Sequence, residues 1–115
     1  MTTQTVDLES LVRRRTVRVD PMIESLVPRF LENRKRDVIA LKGALADGDF
    51  DTIQSLGHAM KGTGGAYGFD AISALGSEME ISGKAQDARS AGRWIQLLDK
   101  YLGKIKVLYE KVDSA

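Results

Sequence analysis

The chain has no cysteine and a single histidine, His58. The first absence excludes disulfides, thiolate nucleophiles and cysteine-ligated metals, and with one imidazole to offer, a zinc site built within the chain is disfavoured as well. No apolar run approaches the ~20 residues that a membrane span requires. The opening stretch, Met1 to Asp7, lacks the basic-then-apolar order of a signal peptide, so the expected compartment is the cytoplasm and no membrane contact is expected. An excess of one charge is missing too. Seventeen Lys and Arg stand against 16 Asp and Glu, a formal net charge of +1, which makes no overall case for nucleic acid. Basic residues do cluster at Arg13, Arg14 and Arg15 and at Arg34, Lys35 and Arg36. Such runs are commonly solvated helix faces and tails; a DNA-binding domain built on them would show duplex affinity that falls steeply with salt.

What remains, 115 residues of which 43% are hydrophobic, suits one globular domain with a single core. Proline occurs only at Pro21 and Pro28, and both punctuate. Asp20-Pro21 is a helix start, with an acidic N-cap and proline at the first position. Pro28 makes a continuous helix costly, so a short helix ahead of a fresh one is expected. The fresh helix runs to about Ala46, with Leu31, Val38, Leu41 and Leu45 inward, and Asp47-Gly48-Asp49 ends it. A central helix begins near Phe50 and fades around Ala66 to Gly68. Asp70 is placed to cap the next, which carries Ile72, Leu75, Met79 and Ala85 and ends between Lys84 and Gln86. After Asp87 or Ser90 the longest stripe, from Trp94 through Leu98, Tyr101, Ile105 and Leu108 to Val112, reads as one helix to the C-terminus. Thr16 to Val19 alternates like a strand but finds no evident partner strand, so an extended lead-in is expected there.

The expected fold is therefore all-α, an antiparallel up-and-down four-helix bundle with a short extra N-terminal helix and an extended or disordered N-terminal arm. Residues 1–18 form the arm and 19–113 the bundle.

Glycine is concentrated rather than scarce. Between Gly57 and Gly68 stand His58, Lys61 and five glycines, Gly57, Gly62, Gly64, Gly65 and Gly68. Each glycine inside a helix costs about 1 kcal/mol relative to alanine, and close approach of a partner backbone is the reason expected here. At roughly 100° per residue, His58, Lys61, Gly62, Gly65 and Phe69 share one stripe, while Ile53, Leu56, Met60 and Tyr67 lie opposite. Lys61 and Gly62, three and four residues on, are surface neighbours of the imidazole. A phosphoryl group on the outer ring nitrogen would meet the ammonium, with nothing at Gly62 to obstruct its delivery. The bland alternative is a glycine-rich loop beside a satisfied histidine.

The spacing His58-x-x-Lys61-Gly62, followed by small residues with Gly65 and Gly68, resembles the signature of the histidine-containing phosphotransfer (HPt) domain family, and the helical pattern from about Asp20 to Val112 is compatible with that family's four-helix bundle. The resemblance implies a phosphocarrier rather than an enzyme: His58 accepts and donates the phosphoryl group, and Lys61 stabilises its oxygens. It implies no cofactor in this chain, because the partner, a receiver domain of a response regulator or hybrid histidine kinase, supplies the aspartate and the Mg²⁺. It also places Glu80 where many HPt domains have a glutamine touching the imidazole; a glutamate there is similar to the chemotaxis-kinase branch, where it accepts from the inner nitrogen. A carboxylate so placed fixes the tautomer and makes the outer nitrogen a better nucleophile. The alternative for Glu80 is a surface pair with Lys84 at i+4. Docking candidates are Gly62, Gly65, Ala59, Phe69, Phe30 and Leu31; of the adjacent Phe30 and Leu31, at most one faces fully inward. Nothing in the pattern demands more than a monomer.

The glycines fail as nucleotide loops. A dinucleotide fingerprint from Gly62 would need glycine where Tyr67 stands, no strand precedes it, and Lys61-Gly62-Thr63 reverses the order of a phosphate-loop ending. One histidine without a placed nucleophile makes no hydrolase triad. The competing reading is a four-helix adaptor that docks to receivers or other signalling proteins without carrying phosphate.

Overall fold

Proline and glycine divide the chain much as their chemistry dictates. The computed structural model describes residues 8–111. Within them run α1 (Leu8–Arg13), β1 (Thr16–Val19), a 3-10 helix (Pro21–Leu26), α2 (Val27–Asp47), α3 (Phe50–Gly64), a 3-10 turn (Gly65–Tyr67), α4 (Asp70–Lys84), α5 (Ala88–Lys104) and β2 (Lys106–Tyr109). The Asp20 carboxylate accepts from the Met22 amide, and Pro28 sits in the first turn of α2, where its missing N–H costs nothing. Asp49 caps α3 by accepting from Thr52, and Asp87 caps α5 by accepting from Ser90. Gly48, at φ 69°, closes α2 in the left-handed conformation that glycine enters without strain.

Short connections turn each long helix back on the last, so α2 to α5 make the four-helix bundle that the periodicity predicts. Packing runs α2 on α3, α3 on α4, α4 on α5 and α5 on α2, which puts α5 diagonally across the bundle from α3. The core between them holds Leu41, Ile53, Met60, Leu75, Met79 and Leu98, all fully buried.

Four expectations need correction. The last helix ends at Lys104; Lys106–Tyr109 is a strand, and it is the partner that Thr16–Val19 lacked, paired in parallel with Thr16 opposite Lys106 and Val19 opposite Tyr109. The stretch Ile105 to Tyr109 alternates as well as it steps by three, and its Val and Tyr favour a pleated surface. Val17, Val19, Val107 and Tyr109 face the bundle, leaving Leu108 outside. Val112, expected in that helix, lies outside the described residues, as do residues 1–7 of the arm. At α4 the N-cap is Phe69 without a side-chain cap bond, and Asp70 is instead the first helical residue. Ala85, expected inward, is exposed past the end of α4. Finally, several glycines serve the chain's own packing rather than a partner's.

That packing is the α3–α4 contact. A methyl group at Gly57 would lie 2.6 Å from the Glu80 amide nitrogen and 2.7 Å from the Gly76 carbonyl oxygen; one at Gly76 would lie 2.6 Å from the Lys61 amide nitrogen. Gly64 meets Ser73 and Gly83 meets Gln54 at 2.5 and 2.6 Å in the same way. The pairs Gly57/Gly64 and Gly76/Gly83 are each seven residues apart, two helical turns, so both lie along one seam where the backbones touch. We expect Gly76→Ala to lower stability by about 1–3 kcal/mol through overpacking against backbone that cannot yield. Gly43→Ala, on α2 with nothing within 4 Å of the added carbon, should raise it by roughly 0.5–1 kcal/mol. Chemical denaturation of both variants reads the difference; equal effects would mean that the seam is not tight.

Candidate functional site

His58 stands on α3 one residue past Gly57. Because Gly57 must face the seam, its neighbour is turned toward the seam's outer edge, and the imidazole is 73% exposed. Across that edge α4 presents Glu80, whose own amide touches Gly57. The Glu80 carboxylate is 22% exposed and reaches both functional neighbours: Oε2 lies 2.9 Å from His58 Nδ1, and Oε1 lies 3.5 Å from Lys61 Nζ. The expected alternative pair of Glu80 with Lys84 does not form.

A carboxylate only accepts hydrogen bonds, so Nδ1 carries the proton and donates it to Glu80. In the neutral ring the lone pair then belongs to Nε2, and among the described residues nothing hydrogen-bonds to that atom. The His58 hydrogen bond is the main influence holding the Glu80 carboxyl below the usual range; partial desolvation works against it, and the Lys61 ammonium assists. Glu80 is thus an anion that restrains an imidazole with one oxygen and an ammonium with the other. Lys61 keeps half its side chain in solvent, free to swing toward an anion arriving at Nε2. Its backbone is pinned, since Ser73 Oγ on α4 donates to the Lys61 carbonyl at 2.6 Å.

Around the imidazole the surface is bare. A carbon added at Gly62 would meet nothing within 4 Å, and one at Gly65 only the Asp70 carboxylate at 3.9 Å. Ala59 is exposed beside them. Phe69 and Phe30 are not part of this surface. Phe69 is wholly buried, because the helical stripe that placed it beside His58 ends early: the chain tightens into a 3-10 turn at Gly65 and reverses at Gly68, φ 89°. Phe30 is the inward member of its pair with Leu31 and stacks on Tyr67 at 4.3 Å and on Phe69 at 5.6 Å. These rings support the end of α3 from beneath. Arg34, which the sequence offered only as part of a basic run, lies over the Phe30 ring, pairs with Asp37 at 2.8 Å and reaches Thr63 on α3 at 3.5 Å. The burial of Asp37 raises its carboxyl despite that pairing.

Among the described residues no group of three or more His, Cys, Asp or Glu is placed to hold a metal ion, and no helix is long and apolar enough to cross a membrane.

The tautomer is directly measurable. Imidazole ¹⁵N shifts of the neutral ring should show the proton on Nδ1 in the native chain and a shift of population toward Nε2–H in Glu80→Ala. A folded carboxyl held low contributes stability above its ordinary value of about 4.3 and loses it as pH falls through the lowered one. The stability that the Glu80 carboxylate contributes should therefore persist through mildly acidic pH and be lost only once Glu80 takes its proton. An Nε2–H ring in the native chain would refute the arrangement.

Comparison with known proteins agrees with this geometry. No curated protein and no solved structure matches the chain. The family model described as Hpt domain matches residues 25–107, from the turn before α2 to the middle of β2. That match covers most of the chain and contains His58, Lys61, Gly62 and Glu80. The chain belongs to the Hpt domain family, the histidine phosphotransfer domains of two-component relays.

Proposed function

We propose that His58 Nε2 is the atom that carries the phosphoryl group, taking it from an aspartyl phosphate on one receiver domain, or from a kinase, and passing it to the aspartate of another receiver. The observation that carries this reading is the Nδ1 to Glu80 hydrogen bond of 2.9 Å on an imidazole otherwise open to solvent. The Nε2 lone pair attacks phosphorus; the N–P bond forms as the bond from phosphorus to the carboxylate oxygen breaks, and the aspartate leaves as an anion. No proton has to move. Nδ1 keeps its hydrogen throughout, and the positive charge that develops on the phosphorylated ring faces the Glu80 carboxylate.

Phosphoryl transfer asks the protein chiefly for positioning and electrostatics. Glu80 positions the ring. Lys61 exchanges its 3.5 Å contact with Glu80 for the phosphoryl oxygens, so the same carboxylate that orients the base holds the cation in reserve. Gly62, Gly65 and Ala59 leave room for the receiver's loops, and the receiver brings the Mg²⁺ that neutralises the group in flight. A phosphocarrier of this kind has no ATP site of its own.

Incubation with a phosphorylated receiver domain tests these roles. The native chain should acquire acid-labile phosphate and His58→Gln none. Lys61→Ala should slow transfer by about tenfold, equivalent to ~1.4 kcal/mol of transition-state stabilisation, with complex formation little changed. Gly62→Gln should fold normally, since the site is open, but should weaken receiver binding. If the native chain binds the receiver and never takes up phosphate, the adaptor reading replaces this one.

A further inference from the structure

The first arginine run is not used by the phosphotransfer face. Where α1 gives way to β1, Arg13, Arg14 and Arg15 close over the last turns of α5 and, with Lys100 and Lys104, surround a cavity of about 180 Å³. No carboxylate lines it. Arg13 has a distant ion pair with Glu9 at 4.0 Å, while among the described residues the side chains of Arg14, Arg15, Lys100 and Lys104 have no acidic partner. Four unpaired cations converging on one small cavity repel one another, and an anion would relieve that repulsion.

A second and independent feature lies at the junction. Arg14 and Tyr101 also line the neighbouring cavity, of about 370 Å³, which reaches Thr16, Gly68 and Asp70. Tyr101 is 4% exposed, yet among the described residues its hydroxyl has no hydrogen-bond partner. Burial, with a smaller contribution from the Asp70 charge, pushes that phenol up to about 12, so it stays a donor at any physiological pH. A buried hydroxyl left unpaired is destabilising, and buried polar groups are almost always satisfied. Tyr101 lines both cavities.

We propose that these two joined cavities bind a small phosphate ester with a hydroxyl-bearing body, a sugar phosphate or a nucleotide. The phosphate occupies the cationic cavity, where the guanidinium forks of Arg14 and Arg15 suit its oxygens. The larger cavity, within the range of roughly 300–1,000 Å³ common to small-ligand sites, takes the body. There Tyr101 donates to an ester or ring oxygen, and the Asp70 carboxylate accepts from a hydroxyl. The smaller cavity lies against the last turns of α5, the larger reaches the Gly68 turn and the start of α4, and His58 lines neither.

Titration calorimetry on the intact chain tests this with ribose 5-phosphate, adenosine monophosphate, ribose and inorganic phosphate at one fixed salt concentration. At least one ester should bind about tenfold or more tighter than both ribose and inorganic phosphate, and which of the two esters binds better identifies the body. Arg14→Gln should weaken ester and inorganic phosphate alike. Tyr101→Phe should weaken the ester by about tenfold, the worth of one hydrogen bond to a ligand, and leave inorganic phosphate unchanged. The same variant should melt no lower than the native chain, because its lost hydroxyl had no partner within the protein; a purely structural tyrosine would lower the melting temperature instead. His58→Gln should bind the ester normally, which separates this site from the relay. Esters binding no tighter than inorganic phosphate, indifference to Tyr101→Phe, or equal affinity for duplex DNA would each reduce the site to a basic surface and overturn the proposal.

Discussion

The site depends on two helices whose backbones touch. Side chains normally hold helix axes 8–10 Å apart. Along the seam of Gly57 and Gly64 with Gly76 and Gly83 there are none, and added carbons would sit 2.5–2.6 Å from the opposite backbone. Such proximity has a cost, since Gly57 and Gly76, in the interiors of their helices, oppose helix formation by about 1 kcal/mol each. The return is geometric. A short glutamate side chain on α4 can reach an imidazole on α3 with the ring still in solvent, which a wider separation would place beyond a direct hydrogen bond.

From that proximity follows the division of labour around Glu80. One carboxylate meets two groups, the His58 imidazole at Nδ1 through one oxygen and the Lys61 ammonium through the other. Neither contact is buried, so each is weak enough to rearrange. The carboxyl stays ionised because the hydrogen bond from His58 outweighs its partial desolvation. The hydrogen bond from Nδ1 to Glu80 thus leaves the Nε2 lone pair of the single histidine on an imidazole open to solvent.

The two strands bear on the other end of the molecule. Parallel pairing of β1 with β2 requires a long crossover, and here the crossover is the bundle itself. The pairing carries α1 onto α4 and α5 and brings Arg13, Arg14 and Arg15 to the end of α5, where the cationic cavity forms, and lays Val19 against the Gly68 turn that ends α3. Both ends of the described chain are thereby tied to one side of the fold.

Much of this was legible from residue order, for stated reasons. Helix starts at Asp20, Asp49 and Asp87 and the stop at Gly48 follow from local hydrogen bonding, which depends on neighbours in sequence. The bundle follows from apolar periodicity, and the grouping of His58, Lys61 and Gly62 from helical spacing. Three features were misread because they depend on residues far along the chain. Lys106–Tyr109 satisfies a helical and an alternating pattern equally, and only Thr16–Val19 decides between them. Phe69 left the exposed stripe because α3 tightens and turns at Gly68. The seven-residue glycine spacing on both helices was visible, but its meaning required knowing that α3 and α4 are neighbours. By itself the amino-acid order determined which helices form and which face carries the histidine, since those are set within a few turns of chain. The family resemblance implied that Glu80 meets the inner nitrogen, but local spacing did not; the packing of α3 on α4 brings the two together, and packing alone decided that Tyr101 would line a cavity with unpaired cations, because contacts between distant segments exist only once the backbones have packed.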